Sequence, residues 1–152
     1  MKAASVIALG LAAVAFAQNK DDWPRIPIDS LNPDIKMWVV CETSDASPLW
    51  HQINNAAWKI DGFSNKESRC VNDNQFGSQC SKVEESDDRG ARISLCGRLN
   101  QATDCGIVST LARGIVEKCA DGGDRAGGWG EWERNYFGRW SKGLTTVVIE
   151  RL

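Results

Sequence analysis

The chain has one histidine, His51, no C-x-x-C spacing and no Gly-x-Ser-x-Gly elbow. A His-assisted serine or cysteine hydrolase would have to use His51 as its base, and paired cysteines leave no thiol to activate. A Cys/His zinc site would have to consume thiols that an oxidising export route pairs. There is no Asn-x-Ser/Thr sequon and no internal repeat, and no stretch reaches the roughly 20 apolar residues of a membrane anchor. The acidic run Val83-Glu84-Glu85-Ser86-Asp87-Asp88 lacks the spaced ligands and central glycine of a calcium loop, so it reads as a solvated turn. Neither a metal nor a cofactor is expected.

Cysteine is what the chain does have. Cys41, Cys70, Cys80, Cys96, Cys105 and Cys119 make an even set. The N-terminus places Lys2 before an apolar run from Val6 to Phe16, and Ala15-Phe16-Ala17 then supplies the small-x-small pattern that signal peptidase needs. Residues 1–17 therefore read as a cleaved signal, with no stable membrane insertion. An even cysteine set in an exported chain argues for three disulfides, and fifteen pairings are open to six cysteines. Of 18 basic residues only Lys2 lies in the leader, against 20 acidic residues, which leaves a mature net charge near −3. That balance argues against nucleic acid or anionic membranes as the main partner. The length, 152 residues, suits one domain, expected here as a monomer.

Residues 18–34 carry Pro24, Pro27 and Pro33 among charged residues, so they form a tail that cannot hold a helix or an interior strand. The single domain is expected over 35–152. Ile35 to Cys41 alternates as a strand. Ser47 followed by Pro48 fits an N-cap and first helical position for a helix running to about Ile60, with Leu49, Ile53, Ala56 and Ile60 as its apolar stripe. Phe63 to Gln79 reads as loop or short strand, and Ala91 to Gly97 as a strand. Asp104 to Cys119 is an amphipathic helix. At about 100° per residue Val108, Leu111, Ala112, Ile115 and Cys119 share a stripe, with Cys105 within roughly 40° of Cys119. Leu144 to Leu152 is the strongest strand signal. The order predicts an α+β sandwich, two helices on one face of a mainly antiparallel sheet.

Seven tryptophans are many for this length. Trp38, Trp50 and Trp140 are assigned to the core by default, because indoles bury large area. Trp129 and Trp132 follow Gly127-Gly128. If Gly127 to Trp132 is an exposed loop, they form a recognition surface for a protein, a lipid interface or a glycan; core placement is the other reading. Glu131 and Glu133 are the one acidic pair flanked by sugar-stacking aromatics, the basis for a carboxylate-pair hydrolase reading.

The spacing Cys70 to Cys80, the strand to Cys96, the helix from Cys105 to Cys119 and the closing Arg139-Trp140-Ser141-Lys142-Gly143-Leu144-Thr145-Thr146-Val147 resemble the virally encoded fungal killer toxins that block calcium channels. Thr43-Ser44-Asp45-Ala46-Ser47-Pro48-Leu49 and the later helix are similar to a necrosis-inducing secreted effector family of plant-pathogenic fungi. Together the two resemblances span roughly Ile35 to Ile149. They imply an α/β sandwich and the pairs Cys41–Cys119, Cys70–Cys105 and Cys80–Cys96. They also imply a functional cation just after Cys80, for which Lys82 and Arg89 are the candidates. Unlike the toxins, this chain is acidic and has no C-terminal cysteine. The expectation is a secreted, extracellular, non-enzymatic effector or killer-toxin-like protein whose partner is a host or competitor cell-surface protein or cell-wall glycan. The alternatives are a glycan-binding module using Trp129 and Trp132, or a small hydrolase.

Overall fold

The computed structural model describes residues 23–30, 32–63, 69–75, 80–120, 122–143 and 145–152. The expected leader, residues 1–17, lies outside them, as does part of the tail. The fold is α+β, a mainly antiparallel seven-stranded sheet with two helices and three disulfides. Along its main path the sheet runs β1 (Ile26–Ile28), β2 (Ile35–Cys41), β7 (Gly128–Tyr136), β9 (Thr145–Arg151), β5 (Ala91–Gly97) and β4 (Cys80–Glu85), and β8 (Arg139–Lys142) pairs with β7. A separate two-stranded ladder joins β3 (Arg69–Val71) to β6 (Ala102–Asp104). The strand inside the proline-bearing segment is an edge strand, the one sheet position where a missing N–H costs no ladder bond.

Helix α2 (Cys105–Cys119) is the centre of the core. The Asp104 carboxylate accepts a 2.7 Å bond from the Gly106 N–H at its start, and Val108, Leu111, Ala112 and Ile115 are fully buried. It sits close on the sheet because Gly130 of β7 has no side chain. A Cβ there would come within 2.9 Å of Leu111 Cδ2. The apolar residues on one side of β2 and β5, Met37, Val39, Ile93 and Leu95, complete that layer.

Helix α1 (Trp50–Phe63) packs on α2, β4 and β5. It starts later and ends later than the sequence suggests. Ser47 Oγ is used inside the preceding loop, accepting from the Ser44 N–H at 3.0 Å, while Gln52 Oε1 caps the helix by accepting from the Leu49 N–H at 3.0 Å. At the other end Asp61 is ion-paired to Arg113 of α2, which holds the chain in register past Ile60. The acidic run is also only half a turn. Val83, Glu84 and Glu85 belong to β4 and Val83 packs against the core, so the turn proper begins at Ser86.

The disulfides join Cys41 at the end of β2 to Cys119 at the end of α2, Cys70 of β3 to Cys105 at the start of α2, and Cys80 to its cross-strand neighbour Cys96. This is the connectivity that the resemblance implies. The three bonds are nested, each enclosing the next.

Candidate functional site

Both helices pack on one side of the sheet, and the alternation of β2 and β7 sends a second set of side chains to the other. Lys36, Trp38 and Val40 stand there opposite Glu133, Glu131 and Trp129 in register. Glu131 is the ionic centre of this open face. Its Oε1 lies 2.8 Å from Lys142 Nζ, and its Oε2 takes Arg25 at 3.4 Å and the Trp38 Nε1–H at 3.3 Å. Arg25 also lies over the Trp38 ring. Both oxygens of Glu131 are thus engaged, and Glu131 ties the chain just before β1, together with β2 and β8, to β7.

The structure divides the two candidate tryptophans. Neither is on an exposed loop; both are on β7, three residues apart and therefore on opposite faces. Trp129 is buried on the open face between Val40 and Val148. Trp132 turns to the helix side, half-buried against the core, with its Nε1–H donating to Thr145 Oγ1 at 3.4 Å. The default core assignment is also corrected for three others. Trp50 and Trp140 are exposed and Trp38 is half-buried on the open face. Strand period would have separated Trp129 from Trp132; the glycines around them masked the strand.

Lys82 and Arg89 lie in the β4–β5 hairpin. Lys82 pairs with Ser94 across the ladder and approaches Glu85 at 3.9 Å, whereas Arg89 sits in the turn at φ 56°, its N–H donating to Ser86 O at 3.0 Å. Acids surround them, and helix α1 holds those acids in place. Lys59 ion-pairs with Asp87 at 2.6 Å, and Asn55 Nδ2 donates to the same carboxylate, which lowers the Asp87 pKa and raises that of Lys59. Asp88 accepts from the Ser86 hydroxyl at 2.6 Å, from Gln52 Nε2 at 2.7 Å and from the Gly90 N–H at 3.0 Å, and its pKa falls to about 2. This end of the sheet is a braced turn in which Glu84, Glu85, Asp87 and Asp88 are interleaved with Lys59, Lys82, Arg89 and Arg92.

The opposite end carries an exposed aromatic surface where the sequence predicts core at Trp140. Strands β7 and β8 meet at Tyr136↔Arg139 through a two-residue turn, Phe137 at φ 52° and Gly138 at φ 83°, the backbone signs of a type I′ hairpin. Phe137 is fully exposed, at 107% of its reference area, with Tyr136 and Trp140 exposed beside it. Arg134 lies over Tyr136 at 5.9 Å and Lys36 over Trp140 at 4.0 Å. The span from Arg134 to Lys142 holds three cations and no acid. Register fixes the polarity: β2 begins beside the hairpin, at Ile35↔Arg134, and the acidic turn adjoins the far end, at Ala91↔Arg151. At the hairpin's base a groove of about 600 Å³ is lined by Trp132, Tyr136, Gln101, Ser141 and Lys142. Among the described residues no cluster of three His, Cys, Asp or Glu side chains is arranged for a metal, and no helix is long and apolar enough to cross a membrane. No family model matches the chain, and neither a curated protein nor a solved structure matches it significantly.

Proposed function

We propose that the protein is a secreted effector or killer-toxin-like ligand that acts by binding, not turnover, on the cells of a host or competitor. The observation that carries this reading is Phe137. A bulky side chain at positive φ is unfavourable for the backbone, and a fully exposed phenyl ring adds nothing to the core, so the fold has no use for it there. A residue that costs the folded state and is presented to solvent between Tyr136 and Trp140 is suited to meeting something else. The nested disulfides support an extracellular working place, where such bonds persist. The killer-toxin-like and necrosis-inducing families remain the proposed kin. Purified protein applied to plant tissue and to fungal cultures is expected to cause cell death or growth arrest, and Phe137→Asn to blunt it. Inertness of the wild type on both would sink the reading.

A glycan-binding role has one observation of its own, the groove beside Trp132 and Tyr136 with the polar groups of Gln101, Ser141 and Lys142 around it. Pull-down on chitin, cellulose and β-glucan with wild type and Tyr136→Ala decides it. Equal retention of the two removes the groove as a sugar site.

A further inference from the structure

We infer that the β7–β8 hairpin docks the protein on an anionic lipid surface, Phe137 entering the bilayer interface while Arg134 and Arg139 meet the headgroups; the inference rests on reading the protein as an exported ligand acting at cells. Phe137 sits at the apex of the hairpin, with no described part of the fold covering it. Tyr136 and Trp140 flank it with amphipathic rings of the type that settle at headgroup level. The chemistry is asymmetric in sign as well as polarity. No acid occurs between Arg134 and Lys142, and Lys36 adds a fourth cation over Trp140. Carboxylates stand at the base, where Glu131 pairs with Lys142 at 2.8 Å and Glu133 is opposite both Lys36 and Lys142 in register. Asp34, whose O accepts from the Asn135 N–H, lies level with Trp140. Among the described residues Arg134 and Arg139 are in no ion pair.

The formal net charge of −2 conceals this end of the molecule. Glu84, Glu85, Asp87 and Asp88 are gathered around the β4–β5 turn at the far end of the sheet, where Lys59, Lys82 and Arg92 pair with three of them, so attraction to a negatively charged plane is concentrated at the hairpin. Shape favours a bilayer over a folded partner. A convex tip two residues wide offers a rigid surface little area, whereas lipid closes around it on all sides. The binding is interfacial and reversible, since one aromatic apex is far short of a spanning segment.

The test is co-sedimentation of the full protein with vesicles of phosphatidylcholine alone and of phosphatidylcholine containing about a third phosphatidylserine at physiological salt. Two headgroup-facing cations, Arg134 and Arg139, each worth about fivefold, predict binding about 25-fold tighter to the anionic vesicles. Phe137→Asn places a residue suited to positive φ at the same site, so it folds, and it is expected to bind anionic vesicles about tenfold more weakly. Arg134→Gln with Arg139→Gln is expected to remove about 25-fold of the preference for phosphatidylserine. Equal binding to both vesicle types, absence of binding, or a Phe137→Asn variant that binds like wild type would overturn the inference. The two readings separate cleanly. A protein that arrests cells but ignores vesicles refutes lipid docking alone, and one that binds vesicles as predicted but leaves cells unharmed refutes the effector reading while lipid docking stands.

Discussion

Removal of the outermost disulfide, by Cys41→Ala with Cys119→Ala, is expected to destabilise the fold more than removal of either inner bond. The sequence separations are 78 for Cys41–Cys119, 35 for Cys70–Cys105 and 16 for Cys80–Cys96. Taken alone, loop-closure entropy would rank them at about 4.5, 3.8 and 3.1 kcal/mol. The bonds are nested, however, and the inner bonds persist in the unfolded state of a variant that lacks an outer one. With Cys70–Cys105 intact the outer loop is effectively about 43 residues, and with Cys80–Cys96 intact the middle loop is about 19. The expected costs then become about 4.0, 3.2 and 3.1 kcal/mol, so the outer bond stands apart and the two inner bonds become nearly equal. Guanidinium denaturation of the three double-alanine variants under non-oxidising, non-reducing conditions reads this directly as shifts in midpoint, with the slope rising as the unfolded chain expands. If the Cys80–Cys96 variant proved the least stable of the three, loop entropy would not be what these bonds contribute.

Further outcomes are fixed by single contacts. Phe137→Asn relieves the positive-φ cost at the hairpin apex and is expected to raise stability by about 1 kcal/mol, an unusual sign for a substitution, read as an increased thermal midpoint. Gly130→Val forces a branched side chain against Leu111, whose Cδ2 would lie 2.9 Å from a Cβ at that position, and should cost about 1–3 kcal/mol in chemical denaturation with the helix content unchanged at low denaturant. Asp88 has a depressed folded-state pKa, so its contribution is complete above its ordinary value of 3.8 and disappears as pH falls through about 2. In a carboxyl-resolved NMR titration of the folded protein the β4–β5 turn should detach from Gln52 only as pH falls through about 2, and an Asp88 midpoint near 3.8 would contradict the bonding described.

The scaffold was legible in the sequence where period and burial agree. Ile35–Cys41 and Ala91–Gly97 alternate over seven residues each and form strands with those bounds, and the stripe ending in Cys119 predicts both the face and the length of α2. Legibility failed where a residue's type and its place disagree. Trp50 and Trp140 are large and apolar, yet a helix start and an edge hairpin leave them in water. The hairpin turn carries Phe-Gly in place of Asn-Gly, so its strongest local signal is missing, and a crowd of aromatics around it imitates a core. Trp129 was obscured in the opposite way, because Gly127, Gly128 and Gly130 around it imitate a loop, although Gly130 is what allows β7 to pass close beneath Leu111. Lys82 and Arg89 could be placed in a hairpin region, but the network from Gln52, Asn55 and Lys59 depends on which face of α1 meets the turn, and that is set only by tertiary packing.

The nesting of the disulfides also decides how the protein comes apart under proteolysis. A peptide bond cut anywhere between Cys41 and Cys119 leaves the two pieces covalently joined, and between Cys80 and Cys96 three bridges span the nick. Beyond Cys119 there is no such protection. The β7–β8 hairpin presents Arg134 and Arg139 at an exposed tip in that unbridged part of the chain, and β9, which lies between β7 and β5 in the sheet, follows directly after it. A single trypsin-like cut at the tip therefore leaves an interior strand of the sheet attached by hydrogen bonds and packing alone, so the segment most available for contact is also the point at which one cleavage can dismantle the molecule.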